Sequence, residues 1–222
     1  MSTAGRPPLP TSPGGVRIER VVTSGTFELD GGSWEVDNNV WVVGDDAQCL
    51  VIDAAHDGRA IVGAIPKHRK VIGVLATHGH NDHINAVGEL SSMTRAPSHL
   101  HPADRMLWDE LYAVAPDEDL RHGQHLVVGD VELRVLHTPG HSPGSVCLHA
   151  PSLGVVFTGD TLFKGGPGAT GRSYSDFPTI TDSIRDRLLV LPPETVVLTG
   201  HGDATTIGDE APHLQEWLDR GH

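Results

Sequence analysis

Short apolar runs recur along the chain, and most of them end in glycine or in a polar residue. Apolar runs of about four to eight residues between turn residues are typical of buried strands. In the first quarter of the chain they predict an antiparallel meander with strands at residues 16–22, 33–36, 39–43 and 49–52. Further strands are predicted at residues 71–76, 126–128, 131–136, 145–149, 155–158 and 196–198.

Helical spacing of apolar residues predicts helices between and after these runs, at residues 58–65, 85–90, 102–112, 175–191 and 210–218. Asp104 and Asp109 are predicted on the solvated face of the third helix, and residues 116–125 as a polar loop. His99 and His101 are predicted to be loop residues. Two strand-rich halves, each with helices, predict an α/β protein, namely a four-layer αββα sandwich whose helices cover two stacked sheets.

Potential metal ligands are crowded directly after the run at residues 71–76, where the chain reads His78, His80, Asp82 and His83. Imidazole and carboxylate together suit zinc, iron or manganese, and the lack of a nearby cysteine argues against a closed structural zinc site. Polar residues of this kind also occur in solvated turns. An open, catalytic metal site is favoured because three later strand-like runs also end in a ligand-type residue. These residues are His141, Asp160 and His201.

Four motifs resemble those of a known superfamily. They are the H-x-H-x-D-H block of residues 78–83 and the turns Thr138-Pro139-Gly140-His141, Gly159-Asp160-Thr161-Leu162-Phe163 and Thr199-Gly200-His201. From about residue 40 to residue 201, the chain resembles the metallo-β-lactamase-fold hydrolases, and within them the glyoxalase II-like group, the hydroxyacylglutathione hydrolases.

The resemblance implies a centre of two divalent metal ions, with zinc as the expected metal and iron or manganese as alternatives. It implies that the first ion is held by His78, His80 and His141. It implies that the second is held by Asp82, His83 and His201, with Asp160 bridging both ions. The catalytic carboxylates of such a centre are Asp82 and Asp160.

Charge balance supports this division independently. Two divalent ions bring about four positive charges against two carboxylates, so a centre that also holds a bridging hydroxide keeps about one positive charge. Such a centre attracts an oxyanion and lowers the pKa of a shared water to roughly neutral. The hydroxide is then predicted to attack an acyl carbon without the help of a protein base.

Residues around the predicted ligands have less specific signals. The resemblance implies that Asp53 orients the ligands from behind, although a carboxylate that ends a strand can also be a turn or cap residue. His137 precedes the His141 turn and is predicted to have a similar supporting role. Arg172 and Tyr174 follow a glycine-rich stretch and match the basic residue and tyrosine that hold the thiol part of the substrate in glyoxalase II-like enzymes. The alternative is a flexible connector at this point.

Four functions are compatible with these residues. The favoured one is hydrolysis of a thioester of a low-molecular-weight thiol. The second is a persulfide dioxygenase-like oxidoreductase with a single iron on His78, His141 and Asp160. The third is a lactonase or another ester hydrolase of the same fold, and Phe163, where such lactonases have a tyrosine, weakens the lactonase reading. The fourth is a metal-binding protein without catalysis.

The end of the chain bears on the thiol carrier. About twenty residues follow His201, and they lack the basic helical extension that binds glutathione in glyoxalase II. We therefore expect a carrier other than glutathione, such as a sugar-linked thiol of the mycothiol type.

Length and composition bound the remaining properties. The 222 residues fit one domain at residues 16–222, preceded by a flexible tail at residues 1–15 that is rich in proline and glycine. No apolar run reaches membrane-spanning length and no secretory signal is apparent, so a cytoplasmic protein is predicted. The net charge of −13 argues against a nucleic-acid partner. Cys49 and Cys147 lie in apolar runs and are predicted to be buried thiols. The oligomeric state stays open.

Overall fold

The computed structural model describes residues 9–221. Its strands are β1 (Arg17–Leu29), β2 (Gly32–Gly44), β3 (Gln48–Ile52), β4 (Lys70–Leu75), β5 (Ser98–Leu100), β6 (Glu118–Asp119), β7 (His125–Val128), β8 (Val131–His137), β9 (Val146–Ala150), β10 (Val155–Gly159), β11 (Leu162–Phe163), β12 (Gly166–Pro167), β13 (Val196–Thr199) and β14 (Thr205–Thr206). Its helices are α1 (Gly58–Ala64), α2 (Asn81–Ile84), α3 (Val87–Thr94), α4 (Arg105–Trp108), α5 (Phe177–Ser183), α6 (Ile207–Glu210) and α7 (Leu214–Arg220).

The strands form two large sheets. The first has the spatial order β1-β2-β3-β4-β5-β6, and the second has the order β14-β13-β10-β9-β8-β7. Strands β1 to β3 pair antiparallel, as the predicted meander requires, whereas β3 to β6 pair parallel. Parallel neighbours need crossover connections. This explains why α1, α2 and α3 lie between the parallel strands of the first sheet.

Three apolar clusters mark the interfaces between the layers. The central cluster joins the two sheets and includes Leu50 of β3 and Phe157 of β10. Their chain neighbours Val51 and Val156 belong to the two outer clusters, which contain residues of α1 and α3 and residues of α5 and α7, respectively. Successive strand side chains point to opposite faces, so each strand contributes to two clusters. The predicted four-layer αββα sandwich is confirmed.

The hairpin of β1 and β2 is longer than predicted. Its turn is Asp30-Gly31, where both residues have positive φ angles, 52° and 76°. Two adjacent residues of this conformation form the tight type of turn that matches the twist of an antiparallel pair, and Asp-Gly is a favoured sequence for it. Polar residues 23–26 interrupt the apolar pattern, which is why the short predicted strands missed the distal half of the hairpin.

Other elements also differ from the prediction. The helix predicted at residues 102–112 is a 3₁₀ turn at Pro102–Asp104 followed by the short α4. The predicted loop at residues 116–125 contains β6, and His99 lies in β5 instead of a loop. Because β5 and β6 are only three and two residues long, they leave no detectable run of apolar side chains in the sequence.

The predicted tail at residues 1–15 lies partly outside the described residues. Within the described part, Ser12 is buried and its hydroxyl donates to Asp130 Oδ1 at 2.5 Å. The backbone N–H of Gly14 donates to the other oxygen of the same carboxylate at 2.7 Å. The carboxylate of Asp130 accepts both hydrogen bonds and lies in the turn between β7 and β8. This part of the predicted tail therefore contacts that turn.

Both cysteines are buried free thiols, as predicted. Burial raises the pKa of Cys49 and of Cys147 to about 11, so neither is an activated thiolate. Among the described helices, none has the length and apolar character that crossing a bilayer requires.

Candidate metal centre

The predicted ligands converge where strands of both sheets end. His78 and His80 follow β4, and Asp82 and His83 lie in the first turn of α2. The others follow strands of the second sheet: His141 after β8, Asp160 after β10 and His201 after β13. Rigid strands thus hold the side chains, while the loops between them leave an opening.

One group consists of three imidazoles. His78, His80 and His141 each place a ring nitrogen within 4.8 Å of the other two. Nδ1 of His80 lies 3.0 Å from Nε2 of His141, and Nδ1 of His141 donates to the carbonyl of Ala169 at 2.9 Å. Burial lowers the pKa of His80 to about 3 and the pKa of His78 well below its usual value. The lowered pKa values favour neutral rings for His78 and His80, which can offer lone pairs to a cation.

A second group combines a carboxylate with two imidazoles. Oδ2 of Asp82 lies 3.2 Å from Nε2 of His201 and 3.5 Å from Nε2 of His83, and the two ring nitrogens are 3.2 Å apart. Burial disfavours the charged form of His201, but the carboxylate of Asp160 outweighs it and raises the pKa of His201 to about 10.

Asp160 lies between the two groups. Its Oδ1 is 3.3 Å from Nε2 of His83, and its Oδ2 is 3.5 Å from Nε2 of His201 and 3.7 Å from Nε2 of His141. Gly200 makes this approach possible, because a Cβ atom there would stand 2.3 Å from Oδ1 of Asp160. One carboxylate thus faces both sets of imidazoles.

The donor set fits divalent cations. Nε2 of His78 and Oδ1 of Asp160 are buried without a hydrogen-bond partner among the described residues. Buried polar atoms are rarely left unpaired, because each costs about 1–3 kcal/mol. Imidazole nitrogens and carboxylate oxygens at such spacing are the ligands of zinc, iron and manganese. Two ions could be accommodated, one by each group.

Asp53 supports this arrangement from behind. Its Oδ2 accepts a hydrogen bond from Nδ1 of His83 at 3.0 Å, and its two oxygens accept from the backbone N–H and hydroxyl of Thr77 at 2.7 and 2.8 Å. The ring of His83 is thereby oriented with Nε2 toward the centre. His137 differs, because its Nε2 donates to the carbonyl of Pro143 at 2.9 Å. It contacts the turn after His141 and none of the predicted ligands.

Asp104 corrects the prediction of a solvated side chain. It is fully buried and accepts hydrogen bonds from Gly79 N at 2.8 Å, Ser142 Oγ at 2.6 Å and Gly144 N at 2.5 Å. Gly79 stands between His78 and His80, and Ser142 follows His141. The carboxylate of Asp104 therefore ties together the two loops that supply the three-imidazole group. Asp109, its predicted companion, is exposed.

Asn81 also has a role that the sequence did not reveal. Although it stands between His80 and Asp82, its side chain turns toward the hairpin of β1 and β2. Its Nδ2 donates to the carbonyl of Thr26 at 2.9 Å, and its Oδ1 accepts from the N–H of Glu28 at 2.8 Å. The amide thus pairs with β1 as a strand would and holds the hairpin beside the centre.

A cavity of about 420 Å³ opens over the centre. Its floor includes His80, Asp82, His141, Asp160 and His201, and the hairpin contributes Phe27, Leu29, Trp34 and Val36. The guanidinium of Arg172 also lines the cavity and lies over the hairpin side chains, 3.8 Å from the ring centre of Trp34 and 5.4 Å from that of Phe27. Tyr174 does not line this cavity, and it is 50% exposed. Of the two predicted substrate contacts, the structure brings Arg172 alone to the centre.

Comparison with protein families agrees with this site. The model of the metallo-beta-lactamase superfamily matches residues 34–201. The chain belongs to the metallo-β-lactamase superfamily.

Two relatives illustrate the range of names in this family. The chain is 35% identical to the "probable metallo-hydrolase YqgX" of Bacillus subtilis over 193 residues, which cover 79% of this chain and 92% of that protein. It is 31% identical to hydroxyacylglutathione hydrolase GloC of Haemophilus influenzae over 183 residues, which cover 75% of this chain and 85% of that protein.

Solved structures with the same fold include the BLEG-1 B3 metallo-beta-lactamase, with a TM-score of 0.74, 30% identity and coverage of 86% of this chain and 97% of that one. TTHA1623 in a di-iron-bound form has a TM-score of 0.69, 31% identity and coverage of 86% and 97%, respectively. ETHE1 from Myxococcus xanthus has a TM-score of 0.70, 28% identity and coverage of 87% and 83%. The di-iron form shows that this fold can hold metals other than zinc.

We predict that Asp104→Asn lowers the free energy of unfolding by about 1–3 kcal/mol, because an NH₂ group replaces an oxygen that accepts hydrogen bonds and leaves buried donors unpaired. Urea unfolding measured against the unchanged protein checks this. Asp109→Asn is the matched control, since its exposed carboxylate is paired with the partly exposed Arg105, and it should change stability by less than about 0.5 kcal/mol. Equal stability of the two variants would contradict the tying role of Asp104.

Proposed function

We propose that this protein is a binuclear metal-dependent hydrolase that cleaves a thioester of a low-molecular-weight thiol. The observation that carries the proposal is the position of Asp160, whose two oxygens face the imidazoles of both groups. A carboxylate in this position can bridge two cations, whereas a site for one cation would need only one of the groups. Similarity to GloC, whose name states a thioester substrate, supports this substrate class.

Each residue of the proposed centre would have a distinct role. His78, His80 and His141 would hold one ion, Asp82, His83 and His201 would hold the other, and Asp160 would contact both. Such ions supply Lewis acidity, which polarises a carbonyl and lowers the pKa of water to about 7. Asp53 keeps Nε2 of His83 directed inward, and Asp104 keeps the two loops of the first group in register.

The cavity walls indicate how a thioester would lie. The acyl carbon must reach the floor formed by the histidines and carboxylates, so the remainder of the substrate extends along the wall that the hairpin and Arg172 form together. The face of the guanidinium already packs on Trp34, while no described residue accepts a hydrogen bond from its N–H groups. Those donors are therefore available to a carboxylate or hydroxyl group of the thiol carrier.

A persulfide dioxygenase-like oxidoreductase is the second candidate. His78, His141 and Asp160 would hold a single iron, and the 3.7 Å distance between Asp160 Oδ2 and His141 Nε2 is compatible with this set. Similarity to ETHE1 supports this candidate no more strongly than similarity to GloC supports the first. The complete second group favours the hydrolase, because the iron set leaves Asp82, His83 and His201 without a use.

We predict that the purified protein binds up to two metal ions per chain and that His80→Ala and Asp160→Ala reduce both metal content and activity. The loss in kcat/KM should exceed about 100-fold, since even residues behind a metal ligand commonly contribute about 10–100-fold. Elemental analysis and a thioester assay measure both effects. His68→Ala removes an exposed histidine and is the control. Full metal content in Asp160→Ala would exclude the proposed centre.

A second experiment separates the two candidate functions. The protein is incubated with an acyl thioester and, separately, with a thiol persulfide, while thiol release and oxygen consumption are followed. We expect thiol release without oxygen uptake, because hydrolysis needs only water. Oxygen uptake with the persulfide, together with one iron per chain, would replace the hydrolase by the oxidoreductase.

We predict that Arg172→Ala raises KM for the thioester about tenfold or more and changes kcat by less than about twofold. A charge-assisted hydrogen bond contributes about 1.5–3 kcal/mol, and a contact away from the reacting carbon stabilises ground state and transition state alike. Steady-state kinetics with thioesters of several thiols measures this. Arg185→Ala, which removes an exposed arginine paired with Asp182 and Asp186, should leave KM unchanged. A high kcat/KM on lactoylglutathione that survives Arg172→Ala would contradict the role of Arg172.

A further inference from the structure

A buried amide contacts the second group without belonging to any predicted motif. Asn38 is located in β2 and is 0% exposed. Its Nδ2 lies 2.9 Å from the carbonyl oxygen and 3.1 Å from Oδ2 of Asp82. The same nitrogen lies 3.4 Å from Nε2 of His83 and 3.5 Å from Nε2 of His201. Asn38 therefore borders all three members of the group.

A chain of hydrogen bonds leads from Asn38 to the segment after β3. Oδ1 of Asn38 lies 2.8 Å from Nε2 of His56. Nδ1 of His56 lies 3.1 Å from Nδ2 of Asn85, and the backbone N–H of His56 donates to Oδ1 of Asn85 at 2.6 Å. His56 thus connects two amides, one in β2 and one directly after α2.

The donors and acceptors in this chain of hydrogen bonds can be assigned by starting from Asn85. A backbone N–H can only donate, so Oδ1 of Asn85 must accept it and Nδ2 of Asn85 must donate to Nδ1 of His56. Neutral imidazole then carries its proton on Nε2 and donates to Oδ1 of Asn38. Burial lowers the pKa of His56, which favours this neutral form. The NH₂ group of Asn38 is left facing Asp82.

The other end of the chain requires the same orientation. Both atoms of Asp82 that face Asn38, the carbonyl oxygen and Oδ2, are acceptors at the distances given above. A reversed amide would place its own oxygen 2.9 Å from that carbonyl, where two acceptors repel. The assignment made from the backbone of His56 and the one made from Asp82 therefore agree, and each polar atom along the chain has a partner.

His56 has an unusual backbone conformation and a closely packed ring. His56 has a positive φ of 62°, which is unusual for a residue with a side chain. Its ring lies against Gly25 of β1, where a Cβ atom would stand 2.2 Å from Nδ1. Both features direct the ring toward Asn38, and a strained conformation retained beside a site commonly has a functional reason.

We propose that Asn38 and His56 are positioning residues that fix Asp82 for the metal ion of the second group. This inference rests on the proposed binuclear centre. The hydrogen-bond chain from Asn85 through His56 to Asn38 ends on Asp82, next to Nε2 of His83, whereas Asp53 contacts the other ring nitrogen of His83, Nδ1. Two members of the second group, Asp82 and His83, are therefore held by separate residues.

The test measures zinc affinity in variants that isolate each group. His201→Ala leaves the three-imidazole group intact, and His80→Ala leaves the second group intact. His56→Leu, which removes the hydrogen bonds of the ring, is added to the unchanged protein and to both backgrounds. Stepwise zinc dissociation constants are obtained by competition with a chromophoric chelator, and thermal unfolding is recorded for each protein.

We expect His56→Leu to weaken the binding of one of the two zinc ions by about 10–100-fold. This is the range typical of residues that contact a metal ligand from behind. The effect should persist in the His80→Ala background and vanish in the His201→Ala background. His56→Gln keeps an N–H donor and should recover part of the affinity. Asn38→Leu should reproduce the loss if His56→Leu fails to fold. His149→Leu, at a half-buried histidine outside the cavity, is the control.

Three results would overturn the inference. Equally weakened binding of both zinc ions would indicate general damage to the fold. A lower melting temperature with unchanged zinc affinity would show that these hydrogen bonds stabilise the fold only and do not position Asp82. Fewer than two zinc ions in the unchanged protein would refute the proposed binuclear centre first, and this inference with it.

Discussion

The structure depends on holding the ligand atoms of the candidate metal centre close together in a buried space. Ring nitrogens of His80 and His141 are 3.0 Å apart, and those of His83 and His201 are 3.2 Å apart. Two lone pairs at such distances repel each other unless a cation or a proton lies between them. The surrounding fold must therefore oppose their separation. It does so through strands that end at the centre and through side chains such as Asp53 and Asp104, which have no place at the centre itself.

Much of this arrangement was predictable, because its signals are local. The block from His78 to His83 follows an apolar run, and three later runs end in His141, Asp160 and His201. The hydrophobic pattern also predicted the layers, since alternating residues such as Leu50 and Val51 must face opposite sides of a sheet. Neither inference needed knowledge of contacts between distant residues.

The supporting residues were not predictable for the converse reason. Asp104 contacts residues that are 25 to 40 positions away in the chain, and helical periodicity alone placed it on a solvated face. Asn38 directly precedes the strand predicted at residues 39–43, and no motif in the sequence marks it. Asn81 was masked by its position inside a ligand motif. In each case a polar residue obtained its role from partners that are distant in the sequence and become neighbours only in the folded chain.

The short segment between Asp53 and His56 has a further consequence. Both residues have positive φ angles, 57° and 62°, and they direct their side chains to His83 and, through Asn38, to Asp82. One residue more or less at this point would move one support out of reach while the other stayed in place. The spacing of three residues from Asp53 to His56 therefore sets the distance between the two supports, and an insertion or deletion here would separate them.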